Sequence, residues 1–139
     1  MLCLAVAGVA AAQLTASRGE ITVIVENFKT DAGVARFAIF RSENGFPDNY
    51  VLAYKTADVE IRNGEAQVTF TDLPYGTYAV AVHHDENGNG IVDLNFFKVP
   101  VEATGASNNA GDAAHAAEFD DAKITLKRKV VLIHIDLRY

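Results

Sequence analysis

In two stretches of this chain apolar side chains fall on every second residue, and that alternation limits the fold more than any other feature. Within Thr77 to His84, the residues Tyr78, Val80, Val82 and His84 share one face and the small Ala79 and Ala81 share the other. Within Val130 to Leu137, a stripe of Val131, Ile133, Ile135 and Leu137 opposes Leu132, His134, Asp136 and Arg138. A period of two marks strands with one buried face, because successive side chains point to opposite sides. It also sets the register: a slip of one residue would bury Asp136 and Arg138 in place of the apolar stripe. Tyr78, Val80, Val82, Val131, Ile133 and Ile135 are therefore expected between two sheets.

The same pattern recurs in Glu20 to Phe28 (Ile21, Val23, Val25), Val34 to Arg41 (Phe37, Ile39) and Glu65 to Thr71 (Ala66, Val68, Phe70). Val51 to Ile61, broken near Thr56, is a weaker strand candidate, and Ala122 to Leu126 is the strand before Val130 to Leu137. Turn residues separate these segments: Asn44-Gly45, Pro47-Asp48, Asn63-Gly64 and the corner Asp72-Leu-Pro-Tyr-Gly76. No window keeps a helical period. The chain is predicted to be all-β, an antiparallel β-sandwich of about seven strands. Its 139 residues suit one domain, placed at residues 20–139.

Leu2 to Ala12 is an apolar run ending in Ala10-Ala11-Ala12 before Gln13. It is too short to span a bilayer and matches the apolar segment and small-residue cleavage site of a signal peptide, although no Lys or Arg precedes it. Residues 1–19 are read as a signal-peptide remnant and linker. Export to the periplasm or the medium is expected, with no integral membrane segment in the mature chain. The single cysteine, Cys3, lies in this leader, so no internal disulfide forms.

Asp85 to Asp93 reads D-E-N-G-N-G-I-V-D. Oxygen side chains at Asp85, Asn87, Asn89 and Asp93, a main-chain carbonyl at Ile91 and a turn at Gly90 reproduce the alternating ligand ladder of a calcium loop. A hard cation takes six to eight oxygens, and a short loop bent at glycine can wrap several around one point. The twelfth position of such a loop, usually a bidentate Glu, is Phe96, and the preceding segment is a strand where a helix is usual. Glu86 and Asn95 are the reserve ligands. An Asn/Gly hairpin turn is the plainer alternative, but a turn alone does not require Asp at both ends.

Charge supports a cation site. Of 18 acidic residues, eight lie between Asp85 and Asp121, against the single Lys98. That segment carries the whole imbalance behind the net charge of −6; such a surface attracts cations and repels nucleic acid. Asp85 to Phe119 is also a long acidic loop without a clear element, and structureless loops beyond about 15 residues are uncommon unless they serve a function or are disordered. Asn108 to Ala117 is left either irregular or as one short helix.

Several chemistries compete around this loop. His83 and His84 point to opposite faces of a strand, so they cannot both ligate one ion, and a zinc cluster with His115 and His134 is disfavoured. His84 is expected to pack under the loop and donate to a loop carboxylate or carbonyl; His83 is expected in solvent. Ser107 with His84 and Asp85 makes a hydrolase triad on paper only, since no G-x-S-x-G surrounds it. Asp120 and Asp121 alternate faces and do not pair. Phe46, Tyr50, Asn108 and Asn109, with His84, are candidate ligand contacts at the sheet end that holds the Asp85 turn. Loop stapling is the default role of Asn108 and Asn109.

Leu73 to Val82 (L-P-Y-G-T-Y-A-V-A-V), His84 to Gly90 (H-D-E-N-G-N-G), Asp93, Asn95, Pro100, Glu102, Ser107 to Ala110 (S-N-N-A), Phe119 to Ala122 (F-D-D-A) and the closing Leu137-Arg138-Tyr139 carry a family resemblance. In number and order these motifs resemble the exported bacterial family known as domain of unknown function 2141. The resemblance implies an exported, prealbumin-like or Ig-like β-sandwich with no assigned activity. This chain departs from the family pattern at Lys98-Val99-Pro100, where Gly-Ile-Pro is usual. Thr104 and Ala106 also stand where the family has aromatics, so a ligand held by those aromatics would be held differently here or not at all.

Two functions follow from these residues. One is an exported, non-catalytic binding or accessory module with a calcium-ordered loop and an extracytoplasmic glycan or protein as its ligand. The other is a hydrolase or metalloenzyme centred on His84, Asp85 and Asp93.

Overall fold

A computed structural model of the protein describes residues 17–97, 101–112 and 114–139. The leader reading at residues 1–19 falls mainly outside these residues. Eight strands are present among them: β1 (Arg18–Val25), β2 (Val34–Phe40), β3 (Lys55–Glu60), β4 (Ala66–Pro74), β5 (Gly76–Asp85), β6 (Thr104–Ala106), β7 (Ile124–Leu126) and β8 (Val130–His134). A four-residue helix, α1 (Phe119–Ala122), precedes β7. The strands form two sheets, one ordered β4-β1-β8 and the other β3-β2-β5-β6, with β7 paired to the start of β5. The expected β-sandwich is the observed architecture.

Alternation explains the core. Ile21, Val23 and Val25 from β1 meet Phe37 and Ile39 from β2 and Tyr78, Val80 and Val82 from β5, all buried. Ile135 and Leu137 close the layer after β8 ends. Val131 and Ile133 pack against this core but are only half-buried, less than the alternation implies. The reason is position: β8 is an edge strand, paired only to β1.

Four further features differ from expectation for physical reasons. β8 runs parallel to β1, with Val131 beside Ile21 and Ile133 beside Val23, because the first and last strands lie side by side in one sheet. Consecutive strands exchange sheets between β1 and β2, at the Asn63-Gly64 turn, at the Asp72–Gly76 corner and after β7. The weak strand over 51–61 begins only at Lys55, because Tyr50–Leu52 is a 3-10 turn. The long acidic loop contains β6 and a 3-10 turn at Ser107–Asn109, with no longer helix among the described residues.

The outer face of β5 matters most for function. Ala79 and Ala81 are as buried as the inner residues, because Phe46, Tyr50, Ala53 and Phe119 fold over that face. β5 is thus covered on both sides. His83 and Asp85, which continue the outer face, are carried into the interior with it.

Candidate cation-binding loop and adjoining cavity

Asp85 ends β5 and opens the acidic loop, with its side chain completely buried. Its Oδ1 accepts the N–H of Asn89 at 3.2 Å and its Oδ2 that of Gly90 at 2.9 Å, so the loop folds back over the strand end. Gly90 makes this possible with φ of 81°, a conformation few residues with a side chain adopt. Gly33 plays the matching part in the neighbouring connection: at φ of 68°, a β-carbon there would lie 2.0 Å from the Asp85 carbonyl oxygen.

Asp93 closes the loop. Its carboxylate accepts the side-chain N–H groups of Asn87 at 2.7 Å and Asn89 at 2.8 Å. The Asn87 and Asn89 amide oxygens accept the N–H groups of Asn89 and Ile91, each at 3.1 Å. Asp85, Asn87, Asn89 and Asp93 are therefore drawn into one hydrogen-bonded loop, while the Ile91 side chain is exposed. One cation already stands near: the Arg36 Nε lies 3.7 Å from Asp85 Oδ2, and the same guanidinium pairs with Asp58 at 2.8 Å.

His84 and Asp85 do not share a site. The His84 ring faces the core, edge-on to Phe28, with Nε2 2.7 Å from the Ala32 carbonyl and Nδ1 3.4 Å from Glu86. It does meet a carbonyl and a carboxylate, but the carbonyl belongs to the β1–β2 connection. His83 is the correction: expected in solvent, it is 1% exposed, covered by Tyr50 at 5.4 Å between ring centroids. Burial holds its pKa below the ordinary histidine value, against the pull of Asp85.

The other candidates divide by role. Asn108 donates to the Asp121 and Lys123 carbonyls at 3.2 and 3.0 Å, and Asn109 accepts the Asp136 N–H at 3.0 Å; both staple the loop. Phe46 packs edge-on to Phe40 and Phe119. Ser107 is engaged with the backbone: its Oγ accepts the Val80 N–H at 2.9 Å and donates to the Ala122 carbonyl at 2.6 Å. Among these candidates only Tyr50 lines a cavity of about 370 Å³, beside His83, Glu102, His115 and Arg138.

Glu102 is the residue that sequence reasoning passed over. It sits outside β6, 9% exposed, and Oε1 accepts the Glu86 N–H at 3.2 Å. Burial raises its pKa, while backbone N–H groups of Asp93 and Glu86 act in the other direction. In sequence it was one more charge in an acidic run and one residue of the family resemblance, with no role attached. Its position becomes visible only when the strand register aligns it.

A family model described as an uncharacterized protein conserved in bacteria (DUF2141) matches residues 23–134. No curated protein and no solved structure matches the chain.

Proposed function

The chain belongs to this uncharacterised bacterial family, and we propose that it is an exported, non-catalytic binding module whose 85–93 loop is ordered by calcium. The observation that carries the reading is the gathering of Asp85, Asn87, Asn89 and Asp93 about one loop. In that arrangement two amide N–H groups offset the Asp93 charge. A calcium ion would take over that role, with oxygens at about 2.3–2.6 Å and the Ile91 carbonyl completing the ladder. Glu86 and Asn95 are the nearest reserves in sequence for a further ligand.

The ordered loop walls the cavity through Val92 and Leu94. Calcium in this reading holds a binding platform in shape, with Tyr50 as its aromatic contact and a glycan or protein segment as the ligand. The placement of export rests on the apolar leader alone. A hydrolase or metalloenzyme centred on His84, Asp85 and Asp93 has less support, because His84 is turned to the core and Ser107 is committed to backbone groups.

Calcium that binds only the folded state raises stability by about 2.7 kcal/mol at a hundredfold excess over its dissociation constant. The full chain should therefore melt at a higher temperature with calcium than with chelator, and Asn89→Ala should remove most of that difference. Superimposable melting curves with and without chelator would return the loop to an Asn/Gly turn. Turnover of ester or glycoside substrates that vanishes with His84→Ala, in a protein still folded, would favour the enzyme reading.

A further inference from the structure

The antiparallel register of β5 and β6 pairs Ala81 with Ala106 and His83 with Thr104. Continued by two residues, past the hydrogen bond from His84 N–H to the Ala103 carbonyl, it sets Glu102 opposite Asp85. Two carboxylates thus face each other across neighbouring strands on the same side of the sheet, both buried. Like charges so placed are destabilising unless one carboxyl takes a proton or a positive charge lies between them. His83, two residues from Asp85 on the same face, completes a triangle whose ligand atoms all lie within 4.8 Å of one another.

An independent observation points to a ligand in this triangle. Both ring nitrogens of His83 are buried and make no hydrogen bond among the described residues, and neither does Oε2 of Glu102. A buried polar atom left without a partner costs about 1–3 kcal/mol, so an imidazole with neither nitrogen satisfied, beside an orphaned carboxylate oxygen, calls for an occupant. Arg36 does not fill the role. It approaches Asp85 only to 3.7 Å, its own Nε is unpartnered, and its charge is matched by Asp58.

We propose that His83, Asp85 and Glu102 bind a divalent transition-metal ion of the zinc class at the base of the cavity. The imidazole decides the class, since calcium and magnesium take oxygen ligands whereas zinc, manganese and iron accept nitrogen beside carboxylate. Ligand atoms on a tetrahedral ion at about 2.0–2.2 Å stand roughly 3.3–3.6 Å apart. The triangle, whose sides are within 4.8 Å, thus needs to close by no more than about 1.5 Å on loading. Three protein ligands leave one coordination position open, the arrangement of zinc sites that admit water or a substrate. Here His83 and Glu102 border the cavity, so that position faces its interior. This inference does not depend on calcium in the loop; the two sites share Asp85 alone.

The test is zinc and cobalt(II) titration of chelator-stripped full chain by calorimetry and by cobalt visible absorption. Binding of one ion per chain is expected, with His83→Gln and Glu102→Gln each weakening it by at least about 100-fold. Asn89→Ala should leave zinc affinity unchanged while lowering the calcium response, so failure of either site is read separately. X-ray absorption of the zinc-loaded wild type should show one nitrogen and several oxygen ligands, which holds the test open if a variant does not fold. Absence of zinc binding would mean that ordered water fills the triangle. Binding that survives His83→Gln, or a site with more than one imidazole, would equally overturn the proposal.

Discussion

Tyr78 and Tyr50 bring phenols into contact with both faces of the five-stranded sheet. Tyr78 lies in the core and donates to the Pro74 carbonyl at 2.6 Å, fixing the corner that leads into β5. Tyr50 covers the outer face and donates to the Arg36 carbonyl at 3.4 Å. Burial raises both phenols above the ordinary value of 10.0. A folded-state pKa above the unfolded one favours the protonated form. The associated stability is therefore complete below pH 10 and is lost as pH rises through and beyond it. The melting temperature should fall above that pH, and Tyr50→Phe should make the fall shallower. If ultraviolet titration of the folded protein showed all five tyrosines ionising together near pH 10, the prediction would fail. At this scale the loop ladder was legible in the residues themselves, since Asp, Asn and Gly have strong local turn chemistry. His83 was not, because nothing adjacent in sequence says that Tyr50 covers it.

At the scale of elements, β5 is the organising strand, and its partner β6 is short because the sandwich closes tightly there. A β-carbon on Gly105 would lie 2.6 Å from Ile135 Cγ2 and 3.0 Å from the Asp136 carbonyl. The glycine is what lets the C-terminal segment lie against the sheet. Gly105→Ala should cost about 1–3 kcal/mol by overpacking. The measurement is a denaturant midpoint, which should drop with its slope unchanged. An unaltered midpoint would mean that the segment can move away freely. The existence of β1, β2, β4 and β5 was plain from alternation. The three-residue β6 was beyond such a reading, as so short a run carries no period.

For the whole molecule, the last residues join the two sheets. Leu137 exchanges hydrogen bonds with the Asn27 side chain at 3.0 and 3.1 Å, extending the β1 edge. Arg138 then exchanges backbone bonds with Thr104 at 2.8 and 3.1 Å, and its guanidinium gathers the carbonyls of Ala110 and Gly111. Tyr139 receives the Lys29 N–H at 2.7 Å. Deleting Leu137 to Tyr139 removes about 1.5–3 kcal/mol of leucine burial and several hydrogen bonds of about 1 kcal/mol each. The melting temperature should fall by roughly 10 °C or more. A fall of less than about 3 °C would show the tail to be dispensable.

Alternation, turn residues and the D-x-N-x-N-G-x-x-D spacing are local properties, set by backbone geometry within a few positions. From them the sequence by itself determined the all-β class, the inner face of β5 and the folding of the Asp85 loop about its own side chains. Which strands share a sheet is a non-local matter, decided by packing between residues as far apart as Ile21 and Val131. The same is true of the outer face of β5. Only the return of residues 46–53 and 102–122 over that face buries His83, sets Glu102 against Asp85 and encloses the cavity. Burial is a property of the assembled layers, and burial is what turns an ordinary histidine and two carboxylates into a candidate metal centre.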